Sequence, residues 1–366
     1  MSTAEAWTVG RLLTWTADYL KKHGSTSPRL DAEVLLAEAR GCQRIELYTA
    51  FAEEPPEEVR ASFKEMVRRR AEGTPVAYLV GRKEFYSLPF EINPDVLIPR
   101  PETEHLVVEA VDLAKKLTGQ APGREPSPPV EMPSQPSASQ RMASECSTGE
   151  PSANESSQGG FNTSDATSGD ATSGQSNSAG AGEGRLRPRA TKSFTQLTIA
   201  DVGTGSGIVA ISLAKSLPGA RVVGLDISPA ALALAGRNVE RHAVGSQVSL
   251  IESDLLAAVS DKQFDLIVSN PPYITESEYA ELPISVRNYE PRSALVGGPA
   301  GTEIIERLLA QAAQQLKPGG WLLMEISPTI ADKVLALVDR SQWSEPTITK
   351  DLSGHARIVA VSRSSL

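Results

Sequence analysis

From Leu197 to Ser362, short apolar runs alternate with segments of helical periodicity, and no other feature constrains the fold as tightly. "LTIADVG", "ARVVGLDIS", "VSLIES", "FDLIVSN", "GGWLLMEI" and "ARIVAVS" read as strands. "IVAISLAKSL", "PAALALAGRNVERH", "TEIIERLLAQAAQQL" and "TIADKVLALVD" read as helices, and a turn is expected at Lys317 to Gly320. Parallel strands need crossover connections, and helices are the usual crossover. The alternation therefore predicts an α/β fold: a doubly wound, mostly parallel sheet with helices on both faces. Ligands of such sheets bind beyond the carboxyl ends of the strands, so the loops there carry the functional expectations.

The first of these loops is "DVGTGSG", Asp201 to Gly207. Gly203, Gly205 and Gly207, with Thr204 and Ser206 between them, permit positive φ and close approach of backbone to a ligand at a helix N-terminus. The dinucleotide fingerprint requires Gly or Ala where Ile208 stands, and no Lys-Ser/Thr follows, which removes a P-loop. The second strand ends at Asp226, whose carboxylate can accept both hydroxyls of a ribose; the competing role, a helix N-cap, is already filled by Ser228. Asp254 ends the third strand, where an acceptor meets an exocyclic adenine amine or simply faces solvent.

The fourth strand ends in "SNPPYIT". Two prolines fix φ and remove backbone donors, leaving a stiff corner of carbonyl oxygens, one side-chain amide and one ring. Such a corner suits an amide nitrogen as substrate, whose lone pair is delocalised and weakly nucleophilic. If the Asn270 side-chain oxygen and the Pro271 carbonyl each accept one N–H, those bonds strengthen as positive charge develops on the nitrogen. Tyr273 can pack on the planar group, and Pro272 keeps the turn rigid. No His, Cys or Lys lies between Phe264 and Arg307, so the chemistry rests on positioning rather than on a strong base.

The glycine turn resembles the first motif of class I S-adenosylmethionine-dependent methyltransferases, and Asn270–Tyr273 resembles the [Asn/Asp]-Pro-Pro-[Tyr/Phe] signature of amino-methyltransferases. Taken with "GTPVAYLVGRKEF" (73–85), "VLIPRPETE" (96–104) and "YEPRSALVGG" (289–298), they resemble the HemK/PrmC-type family, which methylates a glutamine side-chain nitrogen in peptide chain release factors. The resemblance implies a Rossmann-like methyltransferase domain with a seven-stranded sheet, joined through a short β-hairpin to a small N-terminal helical bundle. It further implies S-adenosyl-L-methionine as methyl donor and the glutamine of a Gly-Gly-Gln loop as acceptor. Carried over by motif, Gly203 to Gly207, Asp226, Leu255 (the residue after Asp254) and Asn270 contact the donor, while Asn270, Pro271, Pro272 and Tyr273 hold the glutamine. Two positions depart from the pattern: Leu255 stands where some relatives carry an aromatic, and "EISPTI" (325–330) lacks the Gly and Gln that often follow Glu-Ile.

The remaining chain divides into four expected parts. Residues 1–80 form a helical docking domain for the release factor. Thr8 caps its first helix, Ser27-Pro28 starts another that ends before Gly41, and "PPEEVRASFKEMVRRRAEG" repeats this grammar. Residues 81–118 supply strands around Phe85, Leu88 and Phe90 and around Val96 to Ile98, turned at Asn93-Pro94. A helix follows from near Pro101, with Arg100 pairing with Glu102 or Glu104. Residues 119–193 form a disordered low-complexity insertion. Between 120 and 190 only Val130, Phe161 and Leu186 represent Val, Ile, Leu, Phe, Trp and Tyr, too little to offset an ordering cost of about 1–2 kcal/mol per residue. Residues 194–366 are catalytic.

Charge separates the rival readings. An amino-methyltransferase of nucleic-acid bases predicts a basic face, yet residues 194–366 hold 14 Lys+Arg against 18 Asp+Glu and the chain carries −9. A non-catalytic adaptor predicts damage to the cofactor motif, which is intact. Only Cys42 and Cys146 are present, and neither lies in a metal-binding spacing. No apolar run approaches a membrane span or a signal peptide. A cytoplasmic monomer without direct nucleic-acid contact is expected.

Overall fold

The computed structural model describes residues 6–119 and 197–364. Thr8 Oγ1 accepts from Arg11 N and so caps α1 (Val9–Lys22). α2 (Pro28–Arg40) starts on proline and stops at Gly41, which takes φ +63°. Ser27 holds the cap position of α2 without a side-chain bond. Ser25 Oγ instead accepts from Ser27 N at 3.2 Å and donates to Asp31 at 2.7 Å. α3 (Glu46–Thr49), α4 (Glu57–Ala71) and α5 (Val76–Val80) complete the bundle, whose core includes Leu13, Leu35, Leu36, Leu47 and Phe63.

A hairpin follows, though not the expected one. β1 (Arg82–Phe85) pairs antiparallel with β2 (Leu88–Glu91), and the turn is Tyr86-Ser87, with φ +51° and +58°. Two consecutive left-handed residues match the twist of a two-residue hairpin. Asn93-Pro94 does form a turn, because Asn93 Oδ1 accepts from Asp95 N at 3.1 Å, but it leads into chain without strand pairing at 96–98. α6 (Thr103–Leu117) then packs Leu106, Val107, Ala110 and Ala114 into the core.

The alternation in the second half holds. β3 (Thr198–Val202), α7 (Ile208–Ser216), β4 (Arg221–Asp226), α8 (Pro229–Arg241), β5 (Val248–Glu252) and β6 (Phe264–Ser269) follow in order. Next come β7 (Ile274–Thr275), α9 (Glu276–Glu281), α10 (Ile284–Arg287), β8 (Val296–Gly298), α11 (Glu303–Gln315) and β9 (Leu316–Glu325). α12 (Ala331–Leu337), β10 (Thr347–Lys350) and β11 (Ala356–Ser362) end the chain. The seven-stranded sheet runs β10-β11-β9-β6-β3-β4-β5; the pairs among β9, β6, β3, β4 and β5 are parallel, and β11 is antiparallel to both its neighbours. The expected turn at Lys317–Gly320 is instead a bulge inside β9. Between Phe264 and Leu266 the partner register jumps from Leu316 to Trp321. One apolar layer, from α6, α7 and α8, covers one face of the sheet, and a second, from α11 and α12, covers the other. β7 and β8 pair in a separate two-stranded parallel ribbon.

Candidate active site

The chain leaves β3 toward β4 on one side and returns with β6 on the other, so the loops after β3 and β6 flank the switch point of the sheet. A cavity of about 400 Å³ opens there, within the range of small-molecule sites. Gly203, Thr204, Gly205, Ser206, Asp226, Asp254, Leu255, Asn270 and Pro272 line it, so most of the sequence-derived residues converge. Gly207, Pro271 and Tyr273 are not part of this lining. Gly207 serves packing: a Cβ there would lie 3.3 Å from the Ala235 Cβ of α8. Tyr273 packs against the apolar layer that α11 and α12 share, and burial pushes its phenol up to about 12.

The glycine turn is shaped by carboxylates. Asp201, 1% exposed, accepts from Thr204 Oγ1 at 2.7 Å and from Ala210 N at 3.0 Å, and burial raises its carboxyl to about 7. Asp226 Oδ2 accepts from Gly205 N at 2.8 Å and Oδ1 from Ser228 N at 2.9 Å. Each Asp226 oxygen retains acceptor capacity, so the carboxylate is held in place with lone pairs left for a ligand's hydroxyls. At Gly205, φ is +55° and an added Cβ would meet nothing within 4 Å, which leaves its backbone open to the cavity. Ser228 caps α8 by accepting from Ala231 N, as expected.

Across the cavity Asp254 pairs with Arg307 at 2.6 Å, both side chains being about half exposed. Its carboxylate is thus shared with a guanidinium that the sequence reading did not foresee. Leu255 holds φ +53°, an uncommon conformation for a bulky side chain and a marker of local constraint at the rim.

The Asn270–Tyr273 corner is gripped from three sides. Ser269 Oγ donates to Val202 O at 2.8 Å and ties the corner to the end of β3. Asn270 Nδ2 donates to Thr103 Oγ1 at 3.1 Å. Gly297 and Gly301 press on its backbone: a Cβ at Gly297 would lie 2.4 Å from Pro272 O, and one at Gly301 would lie 2.5 Å from Tyr273 O. Behind the rim, Glu290 joins two distant motifs. Its carboxylate, 5% exposed, accepts from Ile98 N at 3.1 Å and from Arg100 at 2.6 Å. Arg100 therefore pairs with Glu290 and not with Glu102 or Glu104; Glu104 instead accepts from Tyr86 N at the hairpin turn. The bundle is drawn in as well, since Tyr78 Oη donates to Val96 O at 2.6 Å and Tyr289 Oη to Glu72 O at 3.1 Å.

Thr103, Glu290, Gly297 and Glu325 were not assigned from sequence. The first three lie inside "IPRPETE" and "YEPRSALVGG", motifs visible as strings whose partners are far away along the chain. Glu325 had a signal of its own, an acid closing the apolar run Trp321 to Met324 at the carboxyl edge of the sheet. No cluster of His, Cys, Asp or Glu among the described residues could hold a metal ion, and no described helix is long and apolar enough to cross a membrane.

Comparison with known proteins gives the family. Residues 11–81 match the family model of the PrmC N-terminal domain, and residues 188–283 match that of the methyltransferase small domain. The release factor glutamine methyltransferase of Rhodopirellula baltica is 43% identical over 359 residues, 98% of this chain and 97% of that protein. The proteins of the same name from Geobacter sulfurreducens and Koribacter versatilis are 33% identical (97% of this chain, 96% of theirs) and 34% identical (93% of each). The chain belongs to the release factor glutamine methyltransferase family.

Proposed function

We propose that this chain transfers a methyl group from S-adenosyl-L-methionine to the side-chain amide nitrogen of the glutamine in the Gly-Gly-Gln motif of peptide chain release factors. One observation carries the site assignment. Asn270 spends its Nδ2 donor on Thr103, which leaves Oδ1 as an acceptor beside a cavity floored by the glycine turn and Asp226.

The residues fit the donor. Gly203 to Ser206 line the cavity with the Gly205 backbone open to it, Asp226 keeps lone pairs for the ribose hydroxyls, and Asp254 and Leu255 flank the place for adenine. The donor is consumed as a substrate and supplies a methyl group activated on a sulfonium. The chain's own task is the nucleophile. Asn270 Oδ1 and the Pro271 carbonyl each accept one carboxamide N–H and Tyr273 packs on the planar group, Pro271 and Tyr273 acting from outside the donor cavity, which neither of them lines; Pro272 stiffens the corner. An N–CH3 bond forms as the S–CH3 bond breaks, and the nitrogen then loses one proton to solvent. Both acceptors gain strength as positive charge develops, which favours the transition state over bound substrate.

Residues 1–80 dock the release factor, residues 81–118 connect that domain to the rim, and residues 194–366 carry catalysis. The expected disordered insertion, 119–193, lies almost wholly outside the described residues. The chain acts as a monomer in the cytoplasm without direct contact to nucleic acid, a reading supported by its acidic balance. The test supplies labelled methyl donor with purified release factor or with nucleic acid. Label on the Gly-Gly-Gln glutamine, lost in Asn270→Ala while the fold and donor binding persist, is the expected result. Label entering nucleic acid and not the release factor overturns the assignment.

A further inference from the structure

Asn270 has an amide of two nearly isosteric ends, and only one serves the reaction. Turned over, it would present Nδ2 to an incoming N–H and repel it. Thr103 Oγ1 engages Nδ2, but a hydroxyl both donates and accepts, so by itself it tolerates either orientation. Glu325 removes the ambiguity. It ends β9 and is 2% exposed, with Oε2 buried and without a hydrogen-bond partner. Ser269 of β6 pairs with Met324 of β9, so Asn270 and Glu325 follow side by side at the carboxyl ends of neighbouring parallel strands, and α6, which carries Thr103, packs on β9. Thr103 and Asn270 both favour the charged form of the carboxylate. A carboxylate only accepts. With Glu325 ionised, the Thr103 proton turns toward it, the Thr103 lone pair faces Asn270, and Nδ2 is the only end of the amide that satisfies both neighbours.

We infer that Glu325 is a positioning residue: acting with Thr103, its carboxylate fixes the Asn270 amide so that Oδ1 faces the substrate. The inference rests on the methylation reading only for the identity of the group that Oδ1 receives. It also makes the orientation sensitive to pH. Burial first, then Glu102, push the Glu325 carboxyl up to about 7, against Thr103, Arg357 and Asn270, which favour its ionisation. Tyr273, which faces it as well, stays neutral throughout this range. Once protonated, Glu325 donates to Thr103, the Thr103 proton is released toward Asn270, and the bias on the amide is lost.

The experiment follows the Asn270 side-chain 15N–1H signals against pH, assigned by their loss in Asn270→Ala, alongside steady-state kinetics on release factor. In the intact protein the signals move with a midpoint near 7, and in Glu325→Gln they do not. Asp201 titrates in the same range but is unchanged in that variant, so the difference belongs to Glu325. Glu325→Gln lowers kcat by about 10–100-fold, as a misplaced group does, with KM for the methyl donor within about twofold. Thr103→Val matches that loss, Thr103→Ser restores activity, and the double variant loses no more than either single one. An Asn270 titration that persists in Glu325→Gln, or wild-type kcat in Thr103→Val, refutes the inference. Should Glu325→Gln fail to fold, Thr103→Val decides by the same readouts. The titration uses no substrate, so an enzyme that leaves release factor unlabelled overturns the methylation reading while the positioning role is still decided.

Discussion

Gly297→Ala tests the grip on the Asn270–Tyr273 corner. The glycine is not in a left-handed conformation, so alanine adds no backbone strain, only a methyl group whose surroundings are known. That carbon would sit 2.4 Å from Pro272 O and 2.9 Å from Gly301 O. Both are backbone atoms and cannot rotate away as a long side chain can. Relief to an ordinary carbon–oxygen contact of about 3.3 Å moves the corner, or β8 against it, by roughly 1 Å, and a misplacement of that size costs about 100-fold in turnover. The expected result is kcat on release factor reduced by about two orders of magnitude, with the calorimetric affinity for S-adenosylmethionine within about threefold. Gly236→Ala on α8 is the control, since its Cβ would meet only Leu250 at 4.0 Å. A Gly297→Ala enzyme with kcat within twofold of wild type would show that the corner is not held by this contact.

Three further outcomes are expected. Asp226→Ala removes two acceptors whose hydrogen bonds are worth about 1.5–3 kcal/mol each when charged, so the Kd for the methyl donor rises about 100- to 10,000-fold by calorimetry while KM for release factor is unchanged; equal donor affinity would remove Asp226 from the site. Glu290→Ala strands the buried Ile98 N–H and frees Arg100, costing about 1–3 kcal/mol and lowering Tm by about 2–10 °C; an unchanged Tm would mean the two motifs are not coupled through this carboxylate. Asp201 has a folded pKa of about 7 against an ordinary 3.8, so its contribution to stability is complete below about pH 4 and is lost as pH rises to about 7. Asp201→Asn therefore gains several kcal/mol relative to wild type between pH 4 and pH 8, and Tm curves that run parallel across that range would refute the raised value.

The sheet was legible because strand and helix differ in period, and each buried parallel strand is a short apolar run between turns. β10 was not legible. "TITK" is an edge strand with three of its four residues exposed, so no apolar face marks it. The hairpin was sought at Asn93-Pro94 because those residues favour turns, but cross-strand pairing forces the left-handed turn onto Tyr86-Ser87, which carry no such preference. Residues of the cavity lining that are marked by their own backbone freedom or charge could be picked out, Gly203, Gly205 and Asp226 among them. Thr103 and Gly297 could not, because each acts only through a neighbour that the fold delivers from elsewhere in the chain.

The same distinction explains how the site reaches specificity without a strong base. In the proposed reaction every group at the Asn270–Tyr273 corner that receives the substrate is an acceptor or a ring, and acceptors discriminate only if they cannot turn away. Backbone carbonyls are fixed by two prolines. The rotatable acceptor is Asn270, whose amide bonds a hydroxyl from α6 and stands beside the end of β9 and its buried Glu325, elements that the chain reaches well before and well after β6. Packing Thr103 and Glu325 together beside Asn270 therefore couples assembly of the rim to the orientation of one amide. A chain in which α6 is displaced from β9 would retain the donor cavity yet lose the preference for Oδ1, so the capacity to bind S-adenosylmethionine and the capacity to methylate can fail independently.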